Sequence, residues 1–111
     1  MSDATIDATT FTELQAAAGA DFVKELIDTF LEEAPTMLAA LRSTVASRDA
    51  DAFRRAAHSL KSNSHTFGAL ALGAQARELE LKGLPADARP LEALAAEYAR
   101  VAAALTELRD A

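Results

Sequence analysis

The residues of this chain best placed to do chemistry lie between positions 56 and 69. The run Ala56-Ala57-His58-Ser59-Leu60-Lys61-Ser62-Asn63-Ser64-His65-Thr66-Phe67-Gly68-Ala69 reads as a helix with two faces. Phe53, Ala56, Ala57, Leu60, Ser64 and Phe67 recur at three- and four-residue steps and form a buried stripe. His58, Lys61, Ser62 and His65 fall at i, i+3, i+4 and i+7, so they share a different face, turned toward water. Packing has no use for an exposed histidine ringed by small residues with a lysine one turn away. The pattern makes sense if something large must reach the imidazole. Histidine suits a transfer role, because an ordinary pKa of about 6.5 leaves a neutral, nucleophilic ring nitrogen available near neutrality.

Other chemistries fit the same residues less well. His58 and His65 are seven residues apart, or about 10 Å along a helix axis. A shared zinc ion needs each nitrogen within about 2.1 Å, which favours i, i+4 spacing. Ser59 and Ser64 lack a third partner that would make either a catalytic nucleophile. Glu80 enters through geometry. If the chain turns back around Phe67-Gly68-Ala69, residues equidistant from Ala69 lie side by side, and His58 is eleven before it while Glu80 is eleven after. A carboxylate there could accept from Nδ1–H, fix the tautomer and leave Nε2 free. A solvent-facing glutamate is the alternative, with equal weight.

The elements that must hold these side chains are helical. Half of the 111 residues are apolar, alanine and leucine dominate, and no period-2 run of β-branched residues reads as a strand. Residues 1–8 read as a flexible tail, with Ile6 a candidate anchor, and residues 9–111 as one domain. Thr10-Phe11-Thr12-Glu13 is a capping-box pattern opening a short helix that ends near Gly19. A second helix runs from about 21 to 47, with Phe22, Leu26, Phe30, Met37, Leu41 and Val45 along its stripe and Val23, Ile27, Leu38 and Thr44 widening it. Pro35 lies inside, so a bent helix is expected in preference to two helices meeting there. Asp49 is a candidate N-cap for the histidine helix, which covers about 50–66 and stops at Gly68. A fourth helix covers about 69–82 with Leu72, Ala76 and Leu79 inward. Gly83-Leu84-Pro85 breaks it, and Asp87 or Pro90 starts the last helix. There Leu91, Leu94, Tyr98, Val101, Leu105 and Leu108 alternate steps of three and four. Long amphipathic helices with short links predict an all-α fold: an antiparallel up-and-down four-helix bundle with a short extra N-terminal helix.

Composition removes several function classes. Eleven Lys and Arg against seventeen Asp and Glu give a net charge of −6, which argues against nucleic acid as a partner. There is no basic amphipathic face for anionic lipid, and no apolar run long enough to span a bilayer. The absence of cysteine excludes disulfides, Cys-based zinc sites and thiol catalysis. The acidic start Met-Ser-Asp-Ala-Thr-Ile-Asp has no apolar core of a signal peptide, so a soluble cytoplasmic protein is expected.

His58-Ser59-Leu60-Lys61-Ser62, then Phe67-Gly68-Ala69, then Leu79-Glu80 resembles the signature of histidine-containing phosphotransfer (HPt) domains of multistep two-component phosphorelays. The resemblance extends over about residues 9–108 in helix order and loop placement. Ser62 stands where that family often has glycine, and His65 where small residues are commoner. The resemblance implies that His58 accepts a phosphoryl group from a receiver-domain aspartate and passes it to another receiver, with attack through Nε2. Lys61 would attract the phosphoryl group and offset its charge, and Glu80 would orient the imidazole. Ser59, Ser62, His65 and Arg77 would border the docked partner, Arg77 touching either phosphate or protein. His65 is the rival acceptor, with Gly68 rather than lysine three residues on. No cofactor or metal is expected in the chain itself, the Mg²⁺ coming with the receiver. The partners implied are receiver domains and a hybrid sensor histidine kinase, and the chain is expected to be a monomeric stand-alone shuttle. It would be a phosphocarrier without autokinase activity rather than an enzyme, and it has no phosphate-binding glycine loop. The alternative is a non-phosphorylated helical adaptor that binds a signalling partner through the same face.

Overall fold

A computed structural model describes residues 5–111, and every regular element in that span is an α-helix. These are α1 (Ala8–Ala18), α2 (Ala20–Ser47), α3 (Ala50–Phe67), α4 (Leu70–Lys82) and α5 (Arg89–Asp110). The α2–α3, α3–α4, α4–α5 and α2–α5 pairs all pack, closing a ring of four helices, while α1 lies on α2 and α3. Phe30 of α2 meets Phe67 at the end of α3 and Tyr98 of α5, at centroid distances of 5.4 and 6.0 Å. Arg109 near the end of α5 reaches Asp28 near the start of α2 at 2.8 Å. The start of α2 therefore sits beside the ends of α3 and α5, so α2 runs against both.

The core is built from the helical stripes. α3 buries Phe53, Ala57, Leu60, Ser64 and Phe67, and α4 buries Leu72, Gly73, Ala76 and Leu79. Ser64 is tolerated inside because its hydroxyl donates to the Leu60 carbonyl at 2.7 Å. In α2 the buried line is Val23, Ile27, Phe30, Ala34, Leu38 and Leu41. The expected stripe was therefore rotated by one residue in its first half, and Phe22 is 51% exposed. Ala34, small and only weakly apolar, lies fully buried in that line between Phe30 and Leu38. The helix continues through Pro35 without a break, and that residue faces solvent. In α5 the expected Leu91, Leu94, Val101 and Leu105 are buried, Tyr98 is half-buried, and Leu108 is exposed. Glu97 is buried instead, held by Arg100 at 2.7 Å.

The N-terminal cap differs from the expected one. Asp7, not Thr10, caps α1: its carboxylate accepts from the Thr10 amide at 2.9 Å and from the Thr10 hydroxyl at 2.6 Å. The reason is tertiary. The Asp7 amide donates to the Gly68 carbonyl at 2.8 Å, which ties this segment to the α3–α4 turn and starts the helix three residues early. Ile6 is buried, so the chain joins the fold before position 8; residues 1–4 of the expected tail lie outside the described residues. Gly68 has φ +83°, and a Cβ there would stand 3.0 Å from the Asp7 carbonyl oxygen and the Thr10 Cβ. Glycine thus ends α3 and lets α1 close over that end of the bundle.

Candidate functional site

α3 and α4 form a tight hairpin around Gly68–Ala69, and its register places the site. Asp49 caps α3 by accepting from the Ala52 amide at 3.0 Å, and Gly68 ends it, so His58 sits near the helix middle on a rigid element. Eleven residues on either side of Ala69, His58 Nδ1 lies 2.8 Å from Glu80 Oε2. The other oxygen of the same carboxylate, Oε1, meets Lys61 Nζ at 2.8 Å. Glu80 therefore bridges the two expected chemical residues. The side chain of His58 is 58% exposed, while those of Lys61 and Glu80 are 22% and 18% exposed.

Protonation follows from this arrangement. The Lys61 ammonium, and then the His58 hydrogen bond, hold the Glu80 carboxyl below its ordinary range. An ionised carboxylate only accepts, so the shared proton belongs to Nδ1. A neutral imidazole with a proton on Nδ1 carries its lone pair on Nε2. The exposed histidine is thus held in the tautomer that offers a nucleophilic nitrogen to an incoming group.

The remaining expected residues separate. Ser59 and Ser62 are exposed beside His58, and Arg77 is exposed on α4 one turn before Glu80. His65 is different: its ring lies over Gly73 of α4, where an added Cβ would come within 2.4 Å of both Cδ2 and Nε2. It meets a glycine where His58 meets a carboxylate. Two residues escaped the sequence reading. Arg54 and Arg55 line the same surface depression as His58, Ser59 and Glu80, and both are paired with Asp51. Their spacing, four and three residues before His58, was the available signal. A separate groove, bounded by Gln75, Leu79, Leu84, Pro85, Pro90 and Ala93, involves none of these side chains. Among the described residues no three His, Asp or Glu side chains gather as a metal site.

The Hpt domain family model matches residues 25–109, a span that includes His58, Lys61 and Glu80. This chain belongs to the Hpt domain family. A search of curated proteins finds no match. Among solved structures the chain is similar to the crystal structure of histidine-containing phosphotransfer protein B (HptB) from Pseudomonas aeruginosa PAO1. The two are 27% identical with a TM-score of 0.87, and the match covers 98% of this chain and 97% of that one. As an Hpt protein the chain is a histidine phosphotransfer component of a phosphorelay, a phosphocarrier with phosphorelay partners such as receiver domains. Among the described residues no helix is long and apolar enough to cross a membrane.

Proposed function

We propose that His58 is the phosphoryl acceptor of this Hpt protein. The observation that carries the reading is the single carboxylate of Glu80, bound at once to His58 Nδ1 and Lys61 Nζ beneath an exposed imidazole. Nε2 attacks the phosphorus of a receiver's aspartyl phosphate. The N–P bond forms as the acyl P–O bond breaks, and the receiver's carboxylate leaves. Nδ1 keeps its proton, so the phosphorylated ring carries a positive charge that Glu80 offsets. Transfer to the next receiver reverses these steps. Lys61 stands one turn away as a point charge for the phosphoryl oxygens.

The receiver supplies the aspartate and the Mg²⁺, so no cofactor of this chain's own is required. The protein acts in the cytoplasm as a monomeric carrier between a hybrid sensor histidine kinase and response-regulator receivers, without autokinase activity. Ser59, Ser62, His65 and Arg77, all exposed, border the docked receiver. The test is a transfer assay from a phosphorylated receiver to the wild-type protein, His58→Gln and His65→Gln. Acid-labile, alkali-stable label is expected on the wild type and His65→Gln and absent from His58→Gln. Label lost only in His65→Gln would move the site. Binding of the receiver with no label on any of the three proteins would favour an adaptor.

A further inference from the structure

Arg54 and Arg55 have no part in the acceptor chemistry described above, yet they border it. Asp51 receives both: one carboxylate oxygen meets Arg54 Nη2 and the other meets Arg55 Nη1. The two guanidinium groups share a single counter-charge and each meets it through one nitrogen, which leaves most of their N–H donors unused. All three side chains are more than half exposed, and exposed ion pairs of this kind hold their partners weakly. Side chains on a helix lean toward its N-terminus, so the imidazole of His58 overhangs the turn that carries Arg54 and Arg55. The shared depression lined by Arg54, Arg55, His58, Ser59 and Glu80 is the result. Arg54 also borders the adjoining hollow with Glu80, Leu81 and Lys82, which places it on the α4 side of His58. In a chain of net charge −6, this face carries Arg54, Arg55 and Lys61, with Lys82 at the adjoining hollow, against the carboxylates of Asp51 and Glu80.

We propose that Arg54 and Arg55 are a phosphate-binding pair held in reserve on Asp51: when His58 is phosphorylated, their guanidinium groups exchange the carboxylate for the phosphoryl oxygens. This rests on His58 being the acceptor. A phosphoryl dianion presents three oxygens and more charge than a carboxylate, and guanidinium binds phosphate in a bidentate fork. Lys61, by contrast, is already engaged by Glu80, a partner it shares with the imidazole. The two arginines therefore serve the N-terminal side of the phosphoryl group and Lys61 the C-terminal side. Asp51 keeps the arginines ordered when no phosphate is present and releases them to it.

A small donor tests this without a protein partner. The full-length protein is treated with phosphoramidate, which transfers its phosphoryl group to imidazole with ammonia as the leaving group. The proteins compared are wild type, the double variant Arg54→Gln with Arg55→Gln, Asp51→Asn and His58→Gln. Phosphohistidine is followed by ³¹P NMR as a function of pH, with Lys61, Asp51, Glu80 and Lys82 as the other charged groups near the site. Cations that bind the phosphoryl group favour its dianion, so its second titration should rise by at least about 0.3 pH units in the double variant. The double variant should also lose most of the dependence of that titration on salt. Asp51→Asn, which frees the guanidinium groups, should speed labelling about two- to fivefold at low salt. A titration in the double variant that coincides with the wild type at low salt would overturn the proposal. Label that persists in His58→Gln would instead overturn the acceptor assignment and the arginine pair with it. Unchanged thermal unfolding of the double variant separates lost phosphate contact from lost structure.

Discussion

The α3–α4 hairpin presents two histidines on one helix face, and the two levels have become different things. At the first level His58 faces Glu80, a carboxylate that also holds Lys61. At the second His65 faces Gly73, and its ring fills the space a side chain would need. Both pairs obey the same register, eleven and four residues on either side of Ala69. The hairpin is thus a ladder on which the residue across from each histidine decides its role. A carboxylate sets the tautomer and frees a nitrogen for chemistry; a glycine offers only a surface to pack on. What distinguishes the two histidines is the neighbour each meets on the adjacent helix, since both are exposed and share one helix face.

The comparison is broken most severely at the reacting atom. His58→Gln should abolish phosphohistidine formation, whereas His65→Gln should retain it, as read by acid-labile label. Leu60 lies between the two levels and is fully buried. Leu60→Ala should cost about 2–5 kcal/mol of stability in denaturant unfolding, because the cavity it leaves serves both levels. An equal loss of stability without a selective loss of transfer would show that the packing beneath is common to both.

Glu80→Gln sharpens the first level. An amide can accept from Nδ1–H but cannot neutralise Lys61 or fix the tautomer by charge. Transfer should fall about 10- to 100-fold, by analogy with carboxylates that orient metal-bound histidines. The pH dependence has a definite sign. Glu80 has its carboxyl held below the ordinary value of 4.5, by Lys61 first and then His58. Its contribution to stability is therefore fully present above that value and is lost as pH falls through the depressed folded-state value. The stability curves of wild type and Glu80→Gln should differ near neutrality and draw together in acid. Curves that stay parallel down to acid pH would remove Glu80 as a bridging charge.

The smallest effect belongs to the second level. Alanine is favoured over glycine within a helix by about 0.8–1 kcal/mol, but at position 73 its Cβ would meet the ring of His65 at 2.4 Å. Gly73→Ala should therefore be neutral or destabilising in the wild type and stabilising by about 0.5–1 kcal/mol in a His65→Ala background. Transfer through His58 should be unchanged in all of these variants. The same sign in both backgrounds would mean that the ring does not depend on Gly73.

Much of the site could be read before any fold was known. His58, Lys61 and the turn at Phe67-Gly68-Ala69 carry their own spacing, and the equidistance of His58 and Glu80 from Ala69 follows from counting along a hairpin. The α3 stripe was legible because Phe53, Leu60 and Phe67 are strongly apolar and evenly spaced. The α2 stripe was rotated because Ala34 contributes little to an apolar pattern, although it is fully buried. Arg54 and Arg55 were passed over because charged residues on an exposed helix usually belong to solvent, and only the lean of His58 over their turn sets them apart.

The sequence by itself determined the helices, the buried face of α3 and the hairpin count that pairs position 58 with position 80. Those properties depend on 3.6-residue periodicity, on capping residues and on one glycine with a positive φ, all of which act within a single element or across one tight turn. Tertiary structure alone decided three things. It moved the start of α1 to Ala8, because the Asp7 amide binds the Gly68 carbonyl from another part of the chain. It made Glu80 a bridge rather than a solvent-facing carboxylate, because Lys61 Nζ reaches its second oxygen. It laid the ring of the exposed His65 over Gly73 of the neighbouring helix. Each is a contact between groups brought together only when the helices pack, so no periodicity within one helix could contain it.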